Sequence, residues 1–220
     1  MSHRVAIMIL GLTYLFYVLG IEWAAAIVGW RFVRKSWAAG YKWLVALTSC
    51  TVVVETAWMA CLILKVRNVP VYNIWALVET GLILYIQYLL AVKKWPRRSI
   101  VLLLVVLVTG TAIFFTKWPM TGKTNIMYYL FNMFVQLIGI CVALIDIVQG
   151  SMEKLLSKHP AFWLNIGLLF YCSIFIVGHI WGLYSDNELD NYFIWFSFAA
   201  NTFMYFGIIA CFRTLRKEDK

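Results

Sequence analysis

"YNIWALVETGLILYIQYLL", residues 72 to 90, is an apolar run with one acidic side chain, Glu79, and no basic one. At about 1.5 Å of rise per residue, a helix of this length covers roughly the 30 Å hydrocarbon core of a bilayer. Six further runs of similar length flank it. Together they place spans near 5–29, 41–64, 72–92, 99–116, 125–148, 161–184 and 191–212. The breaks between them carry charges or proline, as in "RFVRKS", "KKWPRRS", "QGSMEKLLSKHP" and "SDNELDN". The reading is an all-α polytopic membrane protein of seven transmembrane helices. Residues 1–220 form one domain, because no linker is long enough to fold by itself.

Composition agrees. Of the 220 residues 63% are hydrophobic and 13% charged, with a mean hydropathy of +0.81, whereas roughly a quarter of residues are charged in soluble domains. The net charge of +9 does not point to nucleic acid, because Lys and Arg sit in short segments between apolar runs. The partner they imply is the lipid bilayer. The five cysteines, Cys50, Cys61, Cys141, Cys172 and Cys211, lie in or beside the runs with no CxxC pair. Neither a disulfide framework nor a metal is expected, and no motif calls for a cofactor.

Orientation follows from the basic residues. The segments after spans 1, 3 and 5, together with the end of the chain, hold 14 of the 19 Lys and Arg. Cationic loops stay on the cytoplasmic side. The expectation is an inner or plasma membrane protein with its N-terminus outside and C-terminus inside. The first 26 residues also read as a signal peptide, with a basic start and small residues at Ala24 to Ala26. Removing them would put the two richest basic loops on the wrong face, so this reading is set aside.

A shift of 120 residues lays spans 1, 2 and 3 on spans 5, 6 and 7. It matches Trp43-Leu44 to Trp163-Leu164, and Tyr72, Ile74, Trp75 and Tyr85 to Tyr192, Ile194, Trp195 and Tyr205. In so aromatic a chain, coincidence and a 3+1+3 parallel repeat both remain open. The layout resembles that of SWEET and PQ-loop transporters and, more distantly, of microbial rhodopsins. Span 1 and span 5 lack the Pro-Gln pair, and no lysine lies between Lys158 and Lys217 to hold retinal. Separately, "PAFWLNIGLLFY" (160–171) and the Asn73 to Glu79 spacing resemble a family of small seven-helix bacterial inner-membrane proteins. That resemblance implies a fold and no activity.

Ionisable groups in hydrocarbon are expensive and mark functional sites by default. Counting about 1.5 Å per residue from the outer span ends puts Glu79, His179 and Asn132 about 8–10 Å deep, and Glu55, Gln136 and Asn201 about 15 Å. They lie on coherent faces: Thr48, Thr51, Glu55 and Trp58; Tyr72, Trp75 and Glu79; Asn125, Tyr128, Asn132 and Gln136; Asn165, Cys172 and His179. Turned toward one another, these stripes predict an outward-facing pocket on which Glu55, Glu79 and His179 converge, walled by Trp58, Trp75, Tyr128, Trp181 and Trp195. The plainer reading of Glu79 is a helix-locking hydrogen bond, for instance to Asn132. Glu22 and Asp146 read as interfacial, paired with Arg31 or Lys154. "TGKTN" lacks the first glycine and preceding strand of a phosphate loop, and "SDNELD" lacks EF-hand spacing.

Three functions fit. The first is a sensor that binds a small ligand in the outer pocket and signals to a cytoplasmic partner. The second is a small-molecule transporter built on the repeat, with Trp75 and Trp195 around a midplane site and Glu55 or Glu79 carrying a proton. The third is an intramembrane hydrolase, the weakest, because one His at this depth is too few for a metal site and Ser49 and Ser173 lack a base one turn away. The expectation is therefore a non-enzyme.

Overall fold

The structure, a computed structural model, describes residues 3–34, 36–64, 69–117, 126–150, 155–184 and 189–218. Seven helices account for nearly all of them, and no strand occurs among the described residues. They are α1 (His3–Phe32), α2 (Ala39–Ile63), α3 (Val69–Leu90), α4 (Lys94–Lys117), α5 (Ile126–Gly150), α6 (Pro160–Tyr184) and α7 (Leu189–Glu218), with a 3₁₀ turn, Leu156–Lys158, before α6. The chain is a multi-pass, all-α bundle. Helices α2 to α7 are each long and apolar enough to cross a membrane, and α1 is 30 residues long with Glu22 its one acidic residue.

The helix starts have a local cause. Pro70, Pro96 and Pro160 each fall within the first three residues of α3, α4 and α6. There the backbone N–H has no intrahelical partner, and the fixed φ suits a helix. This corrects the reading of "KKWPRRS" as a loop, since α4 already begins at Lys94. At the other end α7 runs past the apolar span, because Arg213, Arg216 and Lys217 are helix formers whose charges suit a helix C-terminus.

Each connection is shorter than the helix it would have to run back along, so consecutive helices alternate in direction. In space α1, α2, α3, α5, α6 and α7 form a closed ring in that order, with α3 against α5 and α7 against α1. Helix α4 lies outside, in the groove between α3 and α5. Only 17% of its spanning stretch is buried, against 50% for α6 and α7, leaving Val101, Leu102, Val105 and Val108 to face lipid. Exchanging α1, α2, α3 with α5, α6, α7 maps the ring's neighbour pattern onto itself. The 120-residue shift has a spatial counterpart at that level. Side-chain environments follow it in part: Leu44 and Leu164 are both core residues, whereas Tyr205 is buried and Tyr85 is exposed.

The main core fills the ring with residues such as Leu44, Ile83, Ile140, Leu164 and Phe212, and a smaller cluster of Leu84, Ile100, Leu107 and Val135 seats α4. Helices α6 and α7 approach closely where Gly167 and Gly207 face each other. A Cβ on Gly167 would stand 2.9 Å from Gly207 Cα, and one on Gly207 2.7 Å from Gly167 Cα. Small residues allow backbones to meet this closely in membranes.

Candidate functional site

Residues of α2, α3, α6 and α7 enclose a cleft inside the ring. Its wall is mainly apolar, from Leu44, Leu47, Ile83, Leu168, Met204 and Ile208, interrupted by Thr48, Thr51, Glu79, Gln87 and Tyr205. The space admits the centre of a water molecule over only about 10 Å³, room for about one water. Both threonine hydroxyls donate to their own helix, Thr48 to Val45 O and Thr51 to Leu47 O. Their local bonds leave Glu79 as the one carboxylate of the wall. Among the described residues Glu79 makes no hydrogen bond or ion pair, and the expected bond to Asn132 is not formed.

Helix periodicity explains how α3 supplies this wall. Glu79, Ile83, Ile86 and Gln87 recur at three- and four-residue steps and so share one face. Toward the end of α3, Gln87 Nε2 donates to Asn165 Oδ1 of α6 at 2.8 Å, while Asn165 Nδ2 donates to Ala161 O at 2.7 Å. Both side chains are buried, so this bond ties α3 to α6 across the ring.

Behind the cleft lies a second carboxylate. Glu22 of α1 is only 2% exposed, and its Oε1 accepts from the Tyr205 hydroxyl at 3.1 Å. Its Oε2 has no partner among the described residues. Ten residues from the end of α1, Glu22 sits about 15 Å deep by helix rise. This corrects its interfacial reading: it is an interior group bonded to α7 rather than to Arg31. Lys154 itself lies outside the described residues. Glu55 of α2 is partly exposed. Asp146 is also buried, and its Oδ2 accepts from Val92 N at 2.8 Å, so it caps the chain leaving α3.

Of the eleven side chains expected to build the outer pocket, the cleft wall contains Glu79 alone. His179 stacks on Tyr129 with ring centroids 6.1 Å apart, and its Nδ1 lies 2.8 Å from Phe175 O. Asn132 is buried with Nδ2 on Tyr128 O, and Asn201 donates to Ser197 O. Gln136 is buried with Nε2 unpartnered among the described residues. Trp58 and Trp75 are half-buried, Trp75 against the main core, while Trp181 and Trp195 are 54% and 57% exposed. Tyr128 packs among Phe114, Phe115 and Tyr129. These aromatic rings do not line this cleft, and the exposure of Trp181 and Trp195 suits the preference of amphipathic tryptophans for the lipid interface. The side chain of Tyr72, Asn125, "TGKTN" and most of "SDNELD" lie outside the described residues.

Sequence reasoning missed Gln87 and misplaced Glu22. Gln87 could have been found, since it sits two helical turns from Glu79 on the same face. Tyr205 entered only as a repeat match; nothing in its spacing announces a bond to a helix 183 positions away. Among the described residues no group of three His, Cys, Asp or Glu is close enough to hold a metal ion. No protein-family description, curated protein or solved structure matches the chain.

Proposed function

We propose that this protein is a membrane sensor in which a small ligand enters the cleft between α2, α3, α6 and α7 and displaces helices whose basic ends meet a cytoplasmic partner. One observation supports it above the others: four helices close around Glu79 with room for about one water. Any larger occupant has to part α2 and α3 from α6 and α7. Densely packed helices answer such a wedge by shifting as bodies rather than by compressing. The shift is delivered where α7 carries Arg213, Arg216 and Lys217, and where α4 begins with Lys94, Arg97 and Arg98. By the positive-inside rule these ends are cytoplasmic and the N-terminus is outside, in an inner or plasma-type membrane.

The self-mapping neighbour pattern of the ring favours a second reading, a 3+1+3 transporter, with Gln87–Asn165 closing one end of the path. The hydrolase reading finds no support in the arrangement, since His179 lies against Tyr129 and Phe175 and the cleft wall holds Glu79 as its one acid.

The test uses the purified protein in lipid nanodiscs, screened by thermal stabilisation against small amphiphiles, with spin labels at the basic ends of α2 and α7. A compound that stabilises the wild type but not Glu79→Gln, changes the label distance and is not taken up by proteoliposomes supports the sensor. Uptake of that compound replaces the sensor with the transporter. Stabilisation with no change in label distance overturns the coupling on which the proposal stands.

A further inference from the structure

We propose that the seam between α3, α4 and α5 is a gated proton path, a line of buried polar side chains completed by a file of water and closed at one level by Leu84. The path is separate from the cleft and does not depend on what the cleft binds. Tyr128, Asn132, Gln136, Gly139, Ala143 and Asp146 recur at three- and four-residue steps along α5, and all are buried. Contacts at three levels show what this face meets. Near its start Tyr128 clusters with Ala76 of α3 and stacks edge-on against Phe114 of α4. In the middle, a Cβ on Gly139 would stand 2.5 Å from Leu84 Cδ2 of α3 and 3.7 Å from Leu103 Cδ1 of α4. At its end Asp146 Oδ2 accepts from Val92 N, just past α3. The stripe therefore follows α3 from one end of the span to the other.

The same contacts fix the register of the three helices. Thr111 of α4 comes level with Asn132, and Thr80 of α3 with the turn from Asn132 to Gln136. None of these four side chains is more than 5% exposed. Thr111 Oγ1, Asn132 Oδ1 and Gln136 Nε2 have no partner among the described residues. Helix-locking amides look different in this protein, since Gln87 and Asn165 bond each other across the ring. Here an acceptor and a donor stand one turn apart on α5 without pairing. Water both donates and accepts, and buried polar groups of this kind are its usual site. The four side chains carry no formal charge with which to hold an ion.

From Gln136 to Asp146 the helix rises about 15 Å. Gly139 and Ala143 line this stretch on α5, and Leu84, fully buried, fills the notch at Gly139. An apolar constriction of this kind gates by excluding water. Beyond it Asp146 keeps Oδ1 without a partner among the described residues while Val92 N holds Oδ2. Two cations of that end are engaged elsewhere: Lys93 Nζ donates to Gln149 Oε1, and Arg97 Nε to Ala91 O. Carboxyls inside a membrane serve as proton relays. With Leu84 swung aside, each water takes a proton from one neighbour and releases one to the next, and Asp146 Oδ1 takes up the last and passes it to solvent. Only O–H bonds form and break.

The experiment reads proton uptake into proteoliposomes of the full chain, driven by a potassium–valinomycin potential and followed by a pH-sensitive dye inside. Leu84→Ala is expected to raise uptake over wild type by about tenfold or more, equivalent to about 1.4 kcal/mol off the barrier. Leu84→Thr, which keeps the volume nearly unchanged and puts a hydroxyl in the notch, should do the same. Ile140→Ala, which empties part of the main core instead, should leave uptake at the wild-type level. Added to Leu84→Ala, Gln136→Leu should return uptake to wild type, and so should Asp146→Asn, which keeps an acceptor for Val92 N. Melting curves and circular dichroism identify the folded variants. No rise in the folded Leu84 variants overturns the path. So does an equal rise in Ile140→Ala, or uptake in Leu84→Ala that either second substitution leaves unchanged; the polar groups are then helix packing. Should neither Leu84 variant fold, wild type decides: uptake above that of Gln136→Leu supports the path, and equal uptake overturns it. Ligand binding in the cleft is read separately, so each of these outcomes leaves the sensor reading to its own test.

Discussion

Removing the Tyr205 hydroxyl tests the interior bond that sequence reasoning did not foresee. In Tyr205→Phe, Glu22 Oε1 loses the donor it holds at 3.1 Å, and Oε2 already lacks one among the described residues, so the carboxyl is left with neither oxygen satisfied. Hydrogen bonds to charged groups are worth about 1.5–3 kcal/mol in soluble proteins, but interhelical bonds within membranes average about 0.6 and reach about 1.7. A loss of about 1–1.5 kcal/mol is therefore expected. At roughly 2–4 °C per kcal/mol for a chain of this size, the apparent melting temperature falls by about 2–6 °C. Glu22→Leu should be neutral or stabilising, since it removes the buried acid and its unpartnered oxygen together. Tyr205→Phe made on top of Glu22→Leu should then cost nothing, because no acceptor remains. The assay is a double-mutant cycle of melting temperatures in one detergent, with circular dichroism to confirm helix content. Equal losses from Tyr205→Phe in both backgrounds would refute the bond as the cause.

Gly167→Ala should destabilise by about 1–3 kcal/mol, since its Cβ meets Gly207 Cα and Phe203 O at 2.9 Å. Gly81→Ala, with nothing within 4 Å of the new Cβ, should be neutral or gain up to about 1 kcal/mol from helix propensity; thermal melts of the pair decide, and equal responses refute the close contact. Gln87→Leu should cost about 1 kcal/mol by leaving Asn165 Oδ1 buried without its donor, and adding Asn165→Leu should recover part of it in the same assay. For orientation, a cysteine placed in "SDNELD" should react with an impermeant maleimide in intact cells and one in "KKWPRRS" should not; the reverse pattern inverts the topology.

The helices were legible because each apolar run is long, and a run of about twenty residues in hydrocarbon has few alternatives to a helix. Their faces were legible in part: Thr48 and Thr51 of the α2 stripe and Glu79 of the α3 stripe line the cleft, whereas Glu55, Trp58 and Trp75 of the same stripes do not. What periodicity does not carry is which neighbour a face meets. His179 and Glu79 share a depth in the sequence count, yet His179 is taken up by Tyr129 and Phe175. Tryptophans are ambiguous for a different reason, since the same amphipathic ring suits a pocket wall and the lipid interface. Glu22 was misread because basic residues stand near the end of its helix, and the bond that holds it comes from the far end of the chain.

The position of α4 outside the ring bears on the parity of the whole molecule. Three helices, one connector and three helices bring α5 into the bilayer in the same direction as α1, so α3 and α5 lie side by side in parallel, as do α7 and α1. Two parallel neighbours cannot be joined by a tight turn; the chain must first travel back across the membrane. Helix α4 is that return stroke. Excising it with its flanking turns would oblige the last three helices to thread the bilayer upside down, carrying Arg213, Arg216 and Lys217 to the opposite face from Arg31 and Arg34. The least buried helix is thus the one on which the handedness of insertion for half the protein depends.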